Sequence, residues 1–223
     1  MSRRILVLAG VAVVALAFVG LPILGRRLAF FRIRDVEVVG TRYLDQFDVV
    51  RRLGLRKDAS TFDQLGPVRR AARAIPGVLA ATVERRFPGA LRVTVREAIP
   101  VAMVPLNDRL ALVDNRGRVL PFDPVRAPAS LPIAGRDSGT AQLLGRLMRI
   151  DPAGYDSVET ARLDHGDVLL ESGAHRVRLR PEADAGTLRG VMTVRRYLAG
   201  RGIRWQEIDA RYVDRLFVRK AVP

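Results

Sequence analysis

The sequence predicts an α+β protein with a single N-terminal transmembrane helix, then a β-α-α-β-β domain, then a mostly antiparallel β-domain with two helices. Three observations lead to this prediction. The run from Ile5 to Leu24 is apolar and uncharged, the segment from Ile33 to Glu97 mixes strand-like and helix-like patterns, and the rest is mainly short strand-like segments. We divide the chain into a short amino terminus (1–4), the span (5–24), a first domain (33–98) and a second domain (99–223).

The composition is that of a folded protein with an excess of basic charge. Of 223 residues, 48% are hydrophobic and 27% are charged, and the formal net charge is +15. This charge would suit nucleic acid or an anionic membrane surface, but the arginines are spread along nearly every segment. A coding bias toward arginine explains that distribution at least as well. The chain has no cysteine, which excludes disulfides and cysteine-based zinc or redox sites.

The apolar run from Ile5 to Leu24 predicts a membrane span. Twenty helical residues at about 1.5 Å each match the ~30 Å hydrocarbon core. The alternative is a cleaved signal peptide, with Arg3 and Arg4 as its basic start and Ala15-Leu16-Ala17 as its cleavage site. The run continues past Ala17, which favours a retained anchor. Arginines flank both ends of the run, so charge alone does not predict the orientation.

The first domain is predicted to open with one strand and to end with two. The segment Ile33 to Val39 is rich in β-branched residues and stops at Gly40-Thr41, which indicates a strand and a turn. Two further strands, Val78 to Phe87 and Ala90 to Glu97, are joined by Pro88-Gly89, a strong hairpin signal.

Two helices are predicted between these strands. The first spans Asp45 to Leu53, with Asp45 as N-cap and Gly54 after its end. The apolar residues expected to share its buried face are Phe47, Val50 and Leu53. The second spans Asp63 to Ala74 and is ended by Pro76-Gly77.

The second domain is predicted to form an extended hairpin sheet with helices over Thr140 to Ile150 and Ala185 to Ala199. Turn residues separate several of its strands. The strand candidates are Val101–Pro105, Leu110–Val113, Arg118–Leu120, Val158–Leu163, Val168–Glu171, His175–Leu179, Ile203–Ala210 and Leu216–Arg219.

No pattern of catalytic, metal-binding or cofactor-binding residues is found in the sequence. The two histidines, His165 and His175, have no second ligand at metal spacing, and the glycines form neither a Walker loop nor a dinucleotide fingerprint. Asp114-Asn115-Arg116-Gly117 lacks the acidic residue of a calcium loop and is interpreted as a hairpin turn. Trp205 is expected to pack half-buried, with an exposed recognition platform as the alternative. The carboxylates interleaved with arginines, expected on solvated strand faces and in salt bridges, are Glu84, Glu97, Asp209 and Asp214.

The β-α-α-β-β order and three phrases within it resemble the POTRA domain, in which two helices cover one face of a three-stranded sheet. The phrases are Ile75-Pro76-Gly77-Val78, Arg85-Arg86-Phe87-Pro88 and Val95-Arg96-Glu97, with Val36 to Gly40 and Pro100 also similar. A POTRA domain directly after one anchor and before about 120 more residues is similar to the FtsQ/DivIB family over the whole chain. Further matching pieces are Leu112-Val113-Asp114 with Gly117, Leu131-Pro132, and Ile208 to Tyr212.

That resemblance implies a non-enzymatic scaffold of the bacterial divisome that helps control septal peptidoglycan synthesis. It implies FtsB- and FtsL-like coiled-coil membrane proteins and other divisome proteins as partners, with no cofactor, nucleic acid or small-molecule substrate. It places the chain in the cytoplasmic (inner) membrane as a single-pass type II protein at the division septum, with the bulk of the chain outside the cytoplasm. Two alternatives remain open, a POTRA-bearing translocation or assembly factor and a membrane-tethered nucleic-acid binder.

The resemblance also places the main partner contact at the C-terminal strand. In FtsQ-like proteins the last strands form a sheet edge to which an FtsB-like partner adds a strand. The residues expected to bind are Arg211, Tyr212, Val213, Asp214, Arg215, Leu216, Phe217 and Val218. The alternative is that Tyr212, Leu216 and Phe217 simply pack in the core.

Overall fold

The computed structural model describes residues 29–212 and 214–221. These residues belong to two compact units, with the boundary between Glu97 and Ala98. The predicted membrane span, 5–24, lies outside the described residues. None of the helices within the described ranges is both long enough and apolar enough to cross a bilayer.

The first unit is a three-stranded sheet with two helices, in the β-α-α-β-β order predicted from the sequence. The sheet order is β1-β3-β2, in which β3 is central, β1 runs parallel to it and β2 antiparallel. The elements, after a 3-10 turn at Ala29–Phe31, are β1 (Asp35–Val39), α1 (Gln46–Arg52), α2 (Gly66–Ala74), β2 (Val78–Arg86) and β3 (Ala90–Glu97).

Alternation along β3 decides which face of this sheet is covered. Leu91, Val93 and Val95 are buried, while Arg92 and Thr94 point to the opposite face. The core that forms on the apolar face consists of Val38, Val49, Leu53, Ala72, Ile75, Ala81, Val93 and Val95. The helices therefore cover only one face, as the apolar period of two requires.

Helix α1 begins as predicted but buries a different face. The Asp45 carboxylate accepts hydrogen bonds from the N–H groups of Phe47 and Asp48, at 2.8 and 3.2 Å. Val49 and Leu53, four residues apart, are buried, whereas the Phe47 side chain is 86% exposed. The prediction that Phe47 shares the buried face was wrong, because Val49 and not Phe47 lies one turn before Leu53.

Helix α2 begins three residues later than predicted. The Asp63 carboxylate accepts the Ser60 N–H at 2.9 Å, so it closes the preceding loop and does not cap the helix. The helix starts instead at Gly66, with Pro67 in its first turn, where the missing N–H of proline costs nothing.

The second unit is a nine-stranded mixed sheet in the order β12-β11-β10-β9-β8-β7-β4-β5-β6. Of its eight strand pairs within the described residues, five are antiparallel and three parallel. The strands are β4 (Ala102–Leu106), β5 (Arg109–Val113), β6 (Val119–Leu120), β7 (Ile133–Ala134), β8 (Thr160–Asp164), β9 (Asp167–Ser172), β10 (His175–Leu179), β11 (Trp205–Tyr212) and β12 (Arg215–Lys220).

Both predicted helices are present, as α3 (Ser138–Ile150) and α5 (Ala185–Gly200), and a short helix, α4 (Pro152–Asp156), follows α3. Each is capped by an aspartate side chain, and the Asp137 and Asp184 carboxylates accept N–H groups at 2.6 and 2.8 Å. The fully buried large side chains of this unit are Leu112, Leu143, Leu144, Leu179, Leu188, Ile208, Val104 and Val168.

The structure adds one strand and one helix to the two-helix prediction for this domain. Strand β7 has only two residues, and it bridges β4 and β8 by parallel pairing at Ile133 and Ala134. So short a segment carries no readable alternation, which is why sequence periodicity missed it. The five residues of α4 are likewise too few to show a helical period.

Candidate functional site

Strand β12 forms one edge of the nine-stranded sheet. It pairs antiparallel with β11, with Val218 opposite Ile208 and Phe217 opposite Asp209. On its other side β12 pairs with no strand within the described ranges. An edge of this kind offers backbone N–H and C=O groups to an added strand.

The two aromatic residues predicted to bind lie at the surface of this edge. Tyr212 is 48% exposed and Phe217 is 54% exposed. Their rings meet edge to face, with centroids 5.3 Å apart and an interplanar angle of 80°. These side chains form an accessible aromatic pair outside the core.

The other predicted residues take different positions. Leu216 is half-buried, and its Cδ1 lies 3.5 Å from the position that a Cβ on Gly190 of α5 would occupy. Asp214 is in a turn with φ of +58°, Arg215 is exposed and Val218 is half-buried. Val213 lies outside the described residues. The described part of the predicted set is therefore divided between Leu216 and Val218, which are half-buried on one face of β12, and residues that face solvent.

Arg211 is held by two carboxylates of the same sheet. Its Nη2 and Nε lie 2.6 and 2.9 Å from the Asp209 carboxylate, and its Nη1 lies 2.9 Å from Asp167 Oδ2. The hydrogen bonds from Arg211 lower the pKa of Asp209, and the bond to Asp209 raises the pKa of Arg211. Arg211 thus fixes β11 to β9 and has little donor capacity left for a partner.

A second line of ion pairs crosses the same strands. Arg178 Nη1 donates to Asp164 at 2.8 Å, and its Nε lies 3.6 Å from Glu207. Glu207 in turn lies 3.7 Å from Arg219 on β12. The prediction of salt bridges on strand faces is therefore confirmed at Asp209. The ion pairs of this second line join β8, β10, β11 and β12, and the sequence alone does not show which strands are neighbours.

A cleft of about 440 Å³ lies beside the β11–β12 hairpin. Its walls come from the hairpin and from the start of α5, and they include Arg180, Asp184, Thr187, Gly190, Tyr212 and Leu216. Sequence reasoning missed this cleft. The signal that could have found it is the pair Gly186 and Gly190, one turn apart on α5, which leaves one stripe of that helix without side chains.

The remaining polar candidates have structural roles. His175 stacks on Trp205 with centroids 4.2 Å apart, and its Nδ1 lies 2.9 Å from the Trp205 carbonyl oxygen. Asp114 accepts the N–H groups of Arg116 and Arg118 and closes a turn. In the part of the chain that the structure describes, no three His, Asp or Glu side chains gather as metal ligands.

We expect Asp209→Asn to weaken the second unit at neutral pH by about 1 kcal/mol, because a charge-assisted bond to Arg211 becomes neutral. The pKa of Asp209 lies below the usual 3.8, so its contribution is present above that pH and is lost as the pH falls through the lowered pKa. Urea unfolding at pH 7 and pH 3 should therefore show a smaller pH difference in the variant than in the wild type. Asp108→Asn, at an exposed position, is the control. An unchanged pH difference in Asp209→Asn would contradict the role of this pair.

The first unit, with its parallel β1–β3 pair and two helices on one face, defines a POTRA-type module, and a larger mixed α+β unit follows it in the sequence. Residues 31–98 match the family described as POTRA domain, FtsQ-type. The chain therefore carries an FtsQ-type POTRA domain, and this match supports a protein of the FtsQ/DivIB family. No match is found among curated proteins. Proteins with an FtsQ-type POTRA domain are generally non-enzymatic, and the presence of this domain is consistent with a role in protein–protein interaction during cell division.

Proposed function

We propose that this protein is a non-enzymatic membrane scaffold of the bacterial divisome. It links early and late division proteins and helps control septal peptidoglycan synthesis. Its partners are FtsB- and FtsL-like coiled-coil membrane proteins, and it uses no cofactor, nucleic acid or small-molecule substrate. The FtsQ-type POTRA domain at residues 31–98 supports this proposal.

The observation that carries the partner assignment is the unpaired side of β12 beside the cleft. A partner strand added to β12 would place alternate side chains next to Tyr212 and Phe217, and its other side chains over Leu216 and the cleft. Backbone pairing supplies affinity in this mode, and the aromatic pair and the cleft supply specificity.

The charge arrangement favours this proposal over a nucleic-acid binder. Arg92, Arg118, Arg178 and Arg211 each form an ion pair with a carboxylate. These four arginines, neutralised in this way, offer little to a phosphate backbone.

We further propose that the chain is a single-pass type II protein of the cytoplasmic membrane, anchored by 5–24. The domain at 33–98 and the domain at 99–223 then lie outside the cytoplasm as separate modules, at the division septum. The support is the uncharged apolar run in the sequence and the two compact units of the structure.

One experiment tests location and partners together. A peroxidase joined to the carboxyl terminus by a flexible linker is supplied with a membrane-impermeant biotin probe in spheroplasts of the native cell. The expected result is labelling of FtsB- and FtsL-like proteins without lysis. Labelling that appears only after lysis would overturn the topology. Labelling of outer-membrane assembly proteins in place of division proteins would favour the translocation or assembly alternative.

A further inference from the structure

Four phenylalanines form a continuous aromatic cluster at one end of the first unit. The ring centroids of Phe30 and Phe31 are 5.1 Å apart, those of Phe31 and Phe62 4.8 Å, and those of Phe62 and Phe87 5.6 Å. Phe30 and Phe87, the two ends of the row, are each 60% exposed. We call these four residues the phenylalanine cluster. It presents large apolar side chains that the unit's own core does not cover.

Hydrogen bonds from Thr61 and Arg85 to backbone carbonyl oxygens hold the phenylalanine cluster in place. The Oγ1 atom of the buried Thr61 lies 3.0 Å from the Pro88 carbonyl oxygen and 3.3 Å from that of Phe31, which share its one hydroxyl hydrogen, and its N–H donates to the Phe31 carbonyl oxygen at 2.9 Å. Arg85 donates from Nε to the Thr61 carbonyl at 2.6 Å. A Cβ on Gly89 would lie 2.6 Å from the Arg32 carbonyl oxygen, so only glycine allows this approach. These contacts fix the backbone segments that carry the cluster, so the exposed rings are held in defined positions.

Basic side chains flank the cluster. Arg32 and Arg34 follow the Ala29–Phe31 turn, and Arg86 precedes Phe87, and all three are exposed. Arg34 donates to the Ala29 carbonyl oxygen at 3.0 Å, and the charge of Arg86 also acts on Glu37, whose pKa is lowered mainly by its hydrogen bond from Arg92. Apolar rings bordered by arginines are typical of surfaces that lie in the headgroup region of an anionic membrane.

The position of the cluster in the chain determines what can cover it. Phe30 is six residues beyond Leu24, the last residue of the predicted span, and six residues reach at most about 20 Å. The headgroup layer on each side of a bilayer is itself about 5–8 Å thick. With the proposed anchor at 5–24 in the bilayer, a membrane surface lies within reach of the cluster.

We propose that the phenylalanine cluster docks the first unit onto the membrane surface, with Phe30 and Phe87 at the boundary of the acyl chains and Arg32 and Arg86 at anionic lipid phosphates. This inference rests on the anchor of the proposed function, and it adds a second, peripheral contact. This contact determines which end of the POTRA domain faces the membrane. Strand β1 and the rest of the unit then extend away from the membrane.

The absence of cysteine makes the depth of the cluster measurable. The full chain carrying Phe87→Cys is spin-labelled and reconstituted at high dilution in vesicles of phosphatidylethanolamine and phosphatidylglycerol. Phe47→Cys is the matched control, because it also replaces an exposed phenylalanine. Phe47 lies just beyond the loop held by Glu97, at the opposite end of β3. The eight residues of β3 separate the two ends by about 25 Å.

For each label we compare the collision rate with oxygen, which concentrates in lipid, to the collision rate with a water-soluble nickel chelate. This ratio should be several-fold higher for the label at position 87 than for the label at position 47. The Arg32→Gln, Arg86→Gln double variant should lose the dependence of that ratio on the phosphatidylglycerol fraction. If the chain floats with vesicles but both labels are equally accessible to nickel, membrane docking is overturned while the anchor stands. A label at 87 shielded from both reagents would show a protein contact and also overturn the proposal. Failure of the chain to float would overturn the anchor and the docking together.

Discussion

Replacing Glu97 with alanine is expected to lower the free energy of unfolding of the first unit by about 3 kcal/mol. The Glu97 side chain is only 8% exposed, and its carboxylate accepts the N–H groups of Arg42, Tyr43 and Leu44 at 3.0, 2.9 and 2.8 Å. Alanine leaves three backbone donors without their acceptor, and each buried unsatisfied donor costs about 1–3 kcal/mol. Water that enters the loop offsets part of this sum.

Hydrogen exchange measured residue by residue checks this prediction in the full chain. Amides of β1, β2 and β3 should lose protection, while amides of β9, β10 and β11 should keep it if the two domains are separate modules. Glu97→Gln keeps one acceptor oxygen and should show an intermediate loss, and Glu84→Ala, at an exposed position on β2, should show almost none. Equal loss of protection in both units would contradict the proposed independence of the domains. Unchanged protection in β1–β3 would contradict the role of Glu97.

Tyr212→Ala and Phe217→Ala are each expected to weaken binding of the FtsB- and FtsL-like partners about tenfold or more, without unfolding the second unit. Exposed aromatic residues at the centre of an interface often contribute 2 kcal/mol or more to binding. Both side chains are about half exposed, so their truncation leaves no cavity in the core. Val218→Pro removes a backbone donor from the edge strand and tests strand pairing separately from the aromatic contact.

Tyr197→Ala is the matched control for this interface. Tyr197 is 55% exposed and lies 5.3 Å from the guanidinium of Arg201, much as Tyr212 lies 5.7 Å from that of Arg211. It is outside the cleft lining. Binding is measured by co-purification of the partners and by titration, with circular dichroism as the check on folding. If the Tyr212, Phe217 and Val218 variants remain folded and bind like Tyr197→Ala, the partner site lies elsewhere.

For Glu97 and Phe47 the local sequence pattern predicted the wrong solvent exposure: Glu97 is buried and Phe47 is exposed. Glu97 sits among arginines and was therefore expected on a solvated strand face, although its position continues the buried set of Leu91, Val93 and Val95. The structure instead buries it at the end of β3, because the loop after Gly40 folds over it and needs an acceptor. Gly40 itself has φ of +89°, and a Cβ there would meet the Val95 carbonyl oxygen at 2.2 Å. Such a close approach depends on residues more than fifty positions apart.

In the candidate site, too, some features were predicted from the sequence and others were seen only in the structure. The last strand was predicted from its residues, whereas the turn at Asp214 and the exposure of Tyr212 and Phe217 were not. The anchoring of Arg211 by Asp167, 44 residues earlier, and the cleft against Gly190 follow from the order of the strands. No local pattern contains that order.

The sequence by itself therefore determined the β-α-α-β-β order of the first domain, the capping of its first helix by Asp45 and most strands of the second domain. These features depend on residues a few positions apart, through hydrogen bonds to neighbouring N–H groups and the two-residue period of strands. Tertiary structure alone decided that the two-residue β7 joins two parts of one sheet and that four phenylalanines from three separate segments meet at one end of the POTRA domain; the edge position of β12 was expected only from the family resemblance. Each of these depends on contacts between distant segments, whose geometry is set by the packing of the whole unit.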